Sequence, residues 1–534
     1  MPTLTWIGKD KVINHHHDVP FRVLDAQYTY GAADSPNRVP NNRIIHGDNL
    51  EALKALLPYY EGRVKCIYID PPYNTGNEGW VYNDNVSDPK LKRWLGKVVG
   101  KESEDLSRHD KWLCMMYPRL QLLHRLLADD GAIFVSIDDN EQASLKLMMD
   151  EIWGGGNFVS NIVWQKIYTV KNSAKYLSDM HENIVLYAKQ LPKWERKLLP
   201  RSEELDDTYT NPDNDLRGAW TTNAIQARNF YSLGAYEIVS PAGKSHFPPK
   251  GTYWRVSKEN FDDLNQDGRV YWGRDGNSVP RIKKYLSEAK QGVVPTTWWP
   301  YTEAGQNADA KVELRSIFAN SESDLFNTPK PTRLIERILQ IASGPNDIIL
   351  DSFAGSGTTA HAVLNLNKQD GGNRQFILVE MEDYAETITA ERVRRVIDGY
   401  GDKEGTGGGF TYYELGQALF TDDGLLNDDL PLDRIREYVW YSETRTALPQ
   451  PDASQPDDAK PAETPHFLGR RYETAYYFYY EPDELTTLDY DFLATVQTRA
   501  EQYVIYADNC LINREWLQQR HIIFKKIPRD ISRF

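Results

Sequence analysis

The sequence predicts an α/β fold, a parallel, doubly wound sheet of the Rossmann-like kind. Three observations predict it. Short β-rich runs alternate with stretches of helical periodicity. Two of the runs, ending at Asp70 and Asp351, give way to loops rich in Pro or Gly. The alternation stops near residue 190 and resumes near residue 326, as when one domain is interrupted by another.

Residues 1–40 are polar with scattered aromatics and are expected to form an extended N-terminal arm. Arg43 to His46 reads as a strand, and Asp48 precedes a helix over 50–57. The run 64–69 is a strand whose end is fixed by Pro71 and Pro72, because proline cannot continue a central strand. The polar stretch 74–109 reads as a mobile loop with some helix. A helix over 112–127, a strand over 131–137, a helix over 140–153 and strands over 158–165 and 183–187 follow. Residues 191–325 then carry many Gly, Pro and Asn turns and short aromatic strands. The α/β rhythm returns with a helix over 332–341, a strand over 347–350, a helix over 358–366 and a strand over 375–379. Residues 41–190 and 326–404 are thus two halves of one domain, interrupted by the insertion 191–325. Gly405 to Gly409 marks a boundary, and 405–534 is expected to be an α+β domain with strands at 475–480 and 502–506. Its Pro- and Asp-rich linker, about 449–465, is expected to be disordered.

Charge is unevenly distributed. The 534 residues carry a formal −15, yet residues 216–300 hold 12 Lys+Arg against 7 Asp+Glu, interleaved with aromatics such as Trp220, Tyr253 and Trp254. Basic and aromatic residues together suit a nucleic-acid surface. The tail from 401 onward holds 14 basic against 24 acidic residues, which DNA would repel. No run of about eighteen apolar residues could span a membrane. No apolar signal segment opens the chain. The three cysteines lack metal spacing and fit a reducing cytoplasm. His15-His16-His17 reads as a solvated loop rather than a metal site.

Two motifs carry chemistry. Asp351-Ser352-Phe353-Ala354-Gly355-Ser356-Gly357-Thr358 follows a strand and opens a helix, and its glycines let backbone approach a ligand where a Cβ would clash. Glu380, ending the next strand, is placed to accept hydrogen bonds from ribose hydroxyls. The third glycine of the dinucleotide fingerprint and the Gly-Lys-Ser/Thr of a P-loop are both absent, which disfavours a dinucleotide or ATP and favours a cofactor without phosphates. The second motif is Asp70-Pro71-Pro72-Tyr73. The amino group of a nucleobase is a poor nucleophile because its lone pair is delocalised into the ring. A carboxylate accepting one N–H and a backbone carbonyl, that of Pro71, accepting the other turn that lone pair toward a methyl donor. The prolines pre-aim both acceptors, and Tyr73 offers a ring face for a base drawn out of the duplex.

Asp-Pro-Pro-Tyr together with Phe-x-Gly-x-Gly resembles the amino-methyltransferase family of DNA modification enzymes, in the permuted beta-class order with the catalytic motif first. Gly47-Asp48-Asn49-Leu50 and Lys330-Pro331 look like that family's cofactor-flanking segments. The likeness extends to the modification subunits of Type III restriction systems through Leu4-Thr5-Trp6-Ile7-Gly8-Lys9, Ser178-Asp179-Met180-His181-Glu182, Gly292-Val293-Val294-Pro295 and Glu380-Met381-Glu382-Asp383-Tyr384. The resemblance implies transfer of a methyl group from S-adenosylmethionine to N6 of adenine in double-stranded DNA, by base flipping and without a metal. It implies catalytic roles for Asp70, Pro71, Pro72 and Tyr73. The cofactor would lie against Asp48, Thr75, Lys330, Asp351, Phe353, Ala354, Gly355, Ser356, Gly357, Thr358 and Glu380. By the same analogy 191–325 is the target-recognition region. The acidic tail is expected to bind protein, either a second copy in a homodimer or a restriction helicase-nuclease subunit. Two alternatives stand: N4-cytosine methylation, although those enzymes usually carry Ser where Asp70 stands, and a non-catalytic DNA-binding subunit. C5-cytosine chemistry is excluded because no cysteine follows a proline. His181-Glu182 is read as structural, and Asp138-Asp139 as a helix cap.

Overall fold

The computed structural model describes residues 3–31, 41–75, 89–101, 107–201, 206–289, 292–319, 326–449 and 464–534. The chain divides into two compact units, Leu198–Pro295 and the remainder.

The larger unit is built on one ten-stranded sheet. Its strands are β1 (Arg22–Gly31), β2 (Arg43–His46), β3 (Val64–Ile69), β4 (Leu127–Ile137), β5 (Phe158–Gln165), β6 (His181–Ala188), β7 (Trp298–Trp299), β8 (Ile348–Asp351), β9 (Gln375–Glu380) and β10 (Gly409–Ala418). Their order is β1-β10-β2-β9-β8-β3-β4-β6-β5-β7. The six strands from β10 to β4 run parallel. The central ones are buried on both faces, as parallel strands covered by helices must be. Those helices are α1 (Asn49–Tyr60), α2 (Arg108–Leu126), α3 (Gln142–Met149), α4 (Asn307–Ile317), α5 (Thr332–Ala342), α6 (Thr358–Asp370) and α7 (Glu391–Asp398). Leu50, Leu53, Leu56 and Leu57 give α1 an apolar stripe, and Asp48 caps it by accepting from the Leu50 amide at 2.8 Å. Ser107 and Asp110 form a reciprocal capping box at the start of α2.

From β3 the chain winds one way through α2 to β4, and from β8 the other way through α6 to β9. The winding therefore reverses between β8 and β3, which pair directly at Ile349–Cys66 and Leu350–Ile67. Open α/β sheets bind ligands in the crevice outside such a reversal, at the carboxyl ends of the strands. Asp70 and Asp351 follow or end those two strands. The motif at Asp70 precedes the motif at Asp351 in the chain, and the sheet sets their two strands side by side.

Several expectations need correction. The sheet is not wholly parallel: β6 runs antiparallel to both β4 and β5, because β5 and β6 are joined as a hairpin without a crossover helix, and β1 runs antiparallel to β10. Residues 3–31 are not an extended arm. They form two one-turn helices and then β1, with Trp6, Val12, Phe21 and Val23 buried in the main core. His16 is buried rather than solvated, and the Lys54 ammonium beneath donates to the carbonyls of His16 and His17. Four residues past the expected boundary at 405, β10 begins and enters the central sheet beside β2, burying Phe410 and Tyr412. Residues 296–319 belong to the larger unit through β7 and α4. The expected linker falls mostly on 450–463, outside the described residues, as do 76–88 and 102–106 of the expected loop, between which Pro89–Val98 is helical. Asp138 caps a turn, accepting from the Asn140 amide, while Asp139 accepts from the Asn183 side chain.

After β10, helix α8 (Leu432–Thr444) is followed by a four-stranded sheet of β11 (Phe467–Arg471), β12 (Thr474–Phe478), β13 (Gln502–Ala507) and β14 (Ile522–Lys526). The unit Leu198–Pro295 has its own small core of Ile225, Ile238, Trp254, Phe261, Val270 and Trp272. In it Asp215 gathers Arg217, Lys283 and Tyr285, which holds its carboxyl far below the usual range. Among the described residues no helix is long and apolar enough to cross a membrane, and no three His, Cys, Asp or Glu side chains group as a metal site.

Candidate active site

The two prolines after β3 take the chain out of the sheet and leave Asp70 at its edge, with a side chain 16% exposed. Asp70 Oδ2 lies 2.5 Å from Lys330 Nζ, and Oδ1 accepts from the Tyr73 hydroxyl at 2.7 Å. The same hydroxyl lies 3.0 Å from Glu182 Oε2, so two carboxylates compete for its single proton. Lys330 Nζ stands 3.8 Å from Glu182, and Lys166 Nζ approaches Glu182 from the other side at 3.6 Å. Burial pushes the Asp70 carboxyl up from its usual range, the Lys330 charge pulls it down, and Glu182 pushes it up again.

The turn is held from behind. Trp112 on α2 donates its indole N–H to the Pro72 carbonyl at 2.6 Å. Asn74, in the left-handed region at φ 60°, donates to the buried Glu141 at 2.5 Å. Glu141 also lies 2.6 Å from His109 Nδ1.

The second wall is the loop after β8. Asp351 accepts from the Phe353 amide at 3.0 Å and the Thr359 hydroxyl at 2.5 Å, and burial pushes its carboxyl up to about 7. Gly355 donates its amide to Glu380 Oε2 at 2.7 Å, and the Glu382 amide reaches Oε1 at 3.0 Å. Gly357 sits at φ 81°, where a Cβ would come within 3.0 Å of the Thr389 carbonyl. Beneath the loop lies Arg392, wholly buried, donating to Ser356 Oγ at 2.9 Å and Thr358 Oγ1 at 2.8 Å. Thr358 in turn donates to the Lys330 carbonyl at 3.2 Å.

These walls meet on one narrow cleft. Of the expected site residues, Asp70, Lys330, Asp351, Phe353, Ala354, Gly355, Ser356 and Thr358 line it, together with Tyr68 and Phe326. Glu380 stands behind Gly355, with each carboxylate oxygen already accepting a backbone amide. Asp48 caps α1 and lies 3.4 Å from Arg119, while its neighbours Gly47 and Asn49 donate to the carbonyls of Glu380 and Ser352. Thr75 follows Asn74 and is half-buried. Tyr73 departs from expectation. The residue is 8% exposed, with the Lys330 ammonium 5.0 Å from the ring centroid, so no open face is offered to a base in this arrangement. Sequence reasoning missed Trp112 and Arg392, which carried no local signal, and read Glu182 as structural although it stands beside Tyr73 and Lys330.

Residues 64–391 match the family model described as DNA methylase. The chain is 38% identical over 396 residues to the StyLTI Mod subunit, a Type III restriction-modification enzyme of Salmonella typhimurium, covering 71% of this chain and 58% of the relative. It is 30% identical over 430 residues to the EcoP15I Mod subunit of Escherichia coli, covering 71% and 64%. Against the Type II methyltransferase M.KpnI of Klebsiella pneumoniae the identity is 33% over 372 residues, covering 65% and 82%. The chain therefore spans about three fifths of the length of the Type III relatives.

Proposed function

The chain belongs to the DNA methylase family, and from that premise we propose that it transfers a methyl group from S-adenosylmethionine to N6 of adenine in double-stranded DNA. The observation that carries the reading is the meeting of Asp70, after β3, with the glycine loop after β8 on one cleft at the sheet's reversal. The donor set suits that cofactor. Among the described residues, Asp70, Asp351 and one ammonium, that of Lys330, line the cleft, and the buried Glu380 stands behind the loop. The cation on the cleft wall, Lys330, is held by Asp70, so the lining favours a cofactor without phosphates. Ser356 and Thr358 accept from Arg392 through their hydroxyls, and Ala354 and Gly355 beside them line the cleft.

Bound S-adenosylmethionine would supply an electrophilic methyl group. The protein supplies placement. Asp70 accepts one N–H of the substrate amine, and the Pro71 carbonyl accepts the other. The amine lone pair then points across the cleft toward the loop after β8. Tyr73 stacks on the base once it rotates out from under Lys330. A carboxylate at the acceptor position favours adenine, and the two Type III relatives, named as Mod subunits, favour a modification role. The basic, aromatic unit Leu198–Pro295 reads the DNA sequence. The acidic tail binds protein, a second copy or a restriction helicase-nuclease subunit.

The test is incubation of the full chain with tritiated S-adenosylmethionine and unmethylated plasmid DNA, followed by nucleoside analysis. Labelled N6-methyldeoxyadenosine is expected. N4-methyldeoxycytidine would overturn the base assignment, and unlabelled DNA would overturn the activity.

A further inference from the structure

The hairpin loop between β5 and β6, residues 166–180, contributes no residue to the cleft lining. It leaves the sheet on the edge that carries Asp70: β4 runs parallel to β3, and Ile137 at the end of β4 pairs with Asn183 near the start of β6. Its base is fixed. Lys166 pairs with Asp179 at 2.8 Å and lies 3.6 Å from Glu182, the residue that touches Tyr73. Tyr168 stacks on Tyr301 at 5.1 Å, and the Ile167 amide donates to the Met180 carbonyl. Higher up, the Lys171 amide donates to Ser178 Oγ at 2.9 Å, closing a turn.

The tip of that turn is apolar and bare. Tyr176 is 83% exposed and Leu177 91% exposed, with Val170 below them at 58%. Large apolar side chains held this far into solvent, on a loop otherwise tied down by hydrogen bonds, serve no core. The charge of the loop identifies what would cover them. From Gln165 to Ser178 the sequence holds three lysines and no carboxylate, in a chain of net −15. An apolar tip flanked by ammonium groups matches the two surfaces of an opened duplex, stacked bases inside and phosphates outside.

We propose that the loop is a wedge: Tyr176 and Leu177 enter the base stack and fill the gap left by the flipped adenine, while Lys171 and Lys175 hold the flanking phosphates. This rests on the reading of the chain as a base-flipping DNA methyltransferase. Flipping costs a few kcal/mol of unpairing and unstacking, and a side chain that replaces the lost contacts offsets part of that cost. A duplex whose target adenine is already unpaired has less need of the wedge.

The test uses the full chain and a double variant, Tyr176→Ser with Leu177→Ser. Both positions are exposed, so folding is unaffected by the change. The adenine that the wild-type chain methylates in plasmid DNA is located by single-molecule sequencing. Two oligonucleotide duplexes carrying it are then compared, one with thymine opposite and one with an abasic site opposite. The expected result is a roughly tenfold or greater loss of turnover by the variant on the paired duplex, with wild-type rates restored on the abasic one. Equal rates on the paired duplex would overturn the proposal and leave the tip to a protein partner. An equal loss on both duplexes would also overturn it, assigning the loop to general DNA grip. If the wild-type chain methylates no DNA, the methyltransferase reading fails first and the wedge with it.

Discussion

Lys330 closes on Asp70 across 260 positions of sequence, its ammonium nitrogen 2.5 Å from Asp70 Oδ2. The pair joins the start of α5 to the end of β3 and opposes the effect of burial on the carboxylate. Burial and Glu182 raise the Asp70 carboxyl, and Lys330 opposes both.

Two substitutions should therefore move activity in opposite directions along the pH axis. Asp70 must be ionised to accept an amine N–H, so methyl transfer falls as pH drops through its pKa. Lys330→Met removes the opposing charge and should shift that acid limb to higher pH by roughly one unit or more. Glu182→Gln removes a like charge and should shift it lower. Rate profiles between about pH 5 and 9 measure both.

The indole of Trp112 reaches the Pro72 carbonyl from behind, and Trp112 is not among the residues that line the cleft. Trp112→Phe keeps the buried ring and removes the hydrogen bond. Turnover is expected to fall roughly ten- to a hundredfold through misplacement of the turn, with the cofactor dissociation constant unchanged. A matched loss of cofactor binding would mean instead that the whole cleft had collapsed.

Burial pushes Glu380 up to about 7 from 4.5. An acid whose pKa is higher folded than unfolded binds protons more tightly when folded. Its stabilising effect is full below the unfolded pKa and is lost as pH rises through about 7. Wild-type unfolding free energy should drop by about 1 kcal/mol more between pH 6 and 8 than that of Glu380→Gln. Denaturant titrations at the two pH values provide the comparison.

Gly357 combines φ 81° with a 3.0 Å approach to the Thr389 carbonyl. Gly357→Ala should cost about 1–3 kcal/mol of stability and weaken cofactor binding, because the loop must shift away from Thr389. Thermal melts with and without S-adenosylmethionine separate the two effects.

Much of this was legible in the sequence. Prolines after an apolar strand place Asp70 at a sheet edge whatever the rest of the chain does, and Gly-x-Gly after the strand ending at Asp351 does the same for the second wall. The matching residues came from resemblance, and the sheet brings Asp70, Lys330 and the 351–358 loop to one cleft. Three-dimensional details were not legible. The role of Trp112 depends on where α2 lies against the turn. Arg392 is buried only because α7 packs beneath the loop. The direction of β6 follows from a hairpin of 15 residues that could equally have held a crossover. Tyr73 was expected to show its ring, but hydroxyl contacts to two carboxylates draw it inward. The strand β10 was hidden by the glycines that precede it, which resemble a linker until Phe410 and Tyr412 are seen buried.

The most direct test of the central claim is single-molecule sequencing of DNA from cells expressing the wild-type chain beside Asp70→Ala. The account predicts methyladenine at one short sequence motif in the first sample and none in the second. Methyladenine persisting in Asp70→Ala cells, with the same motif and extent, would contradict it.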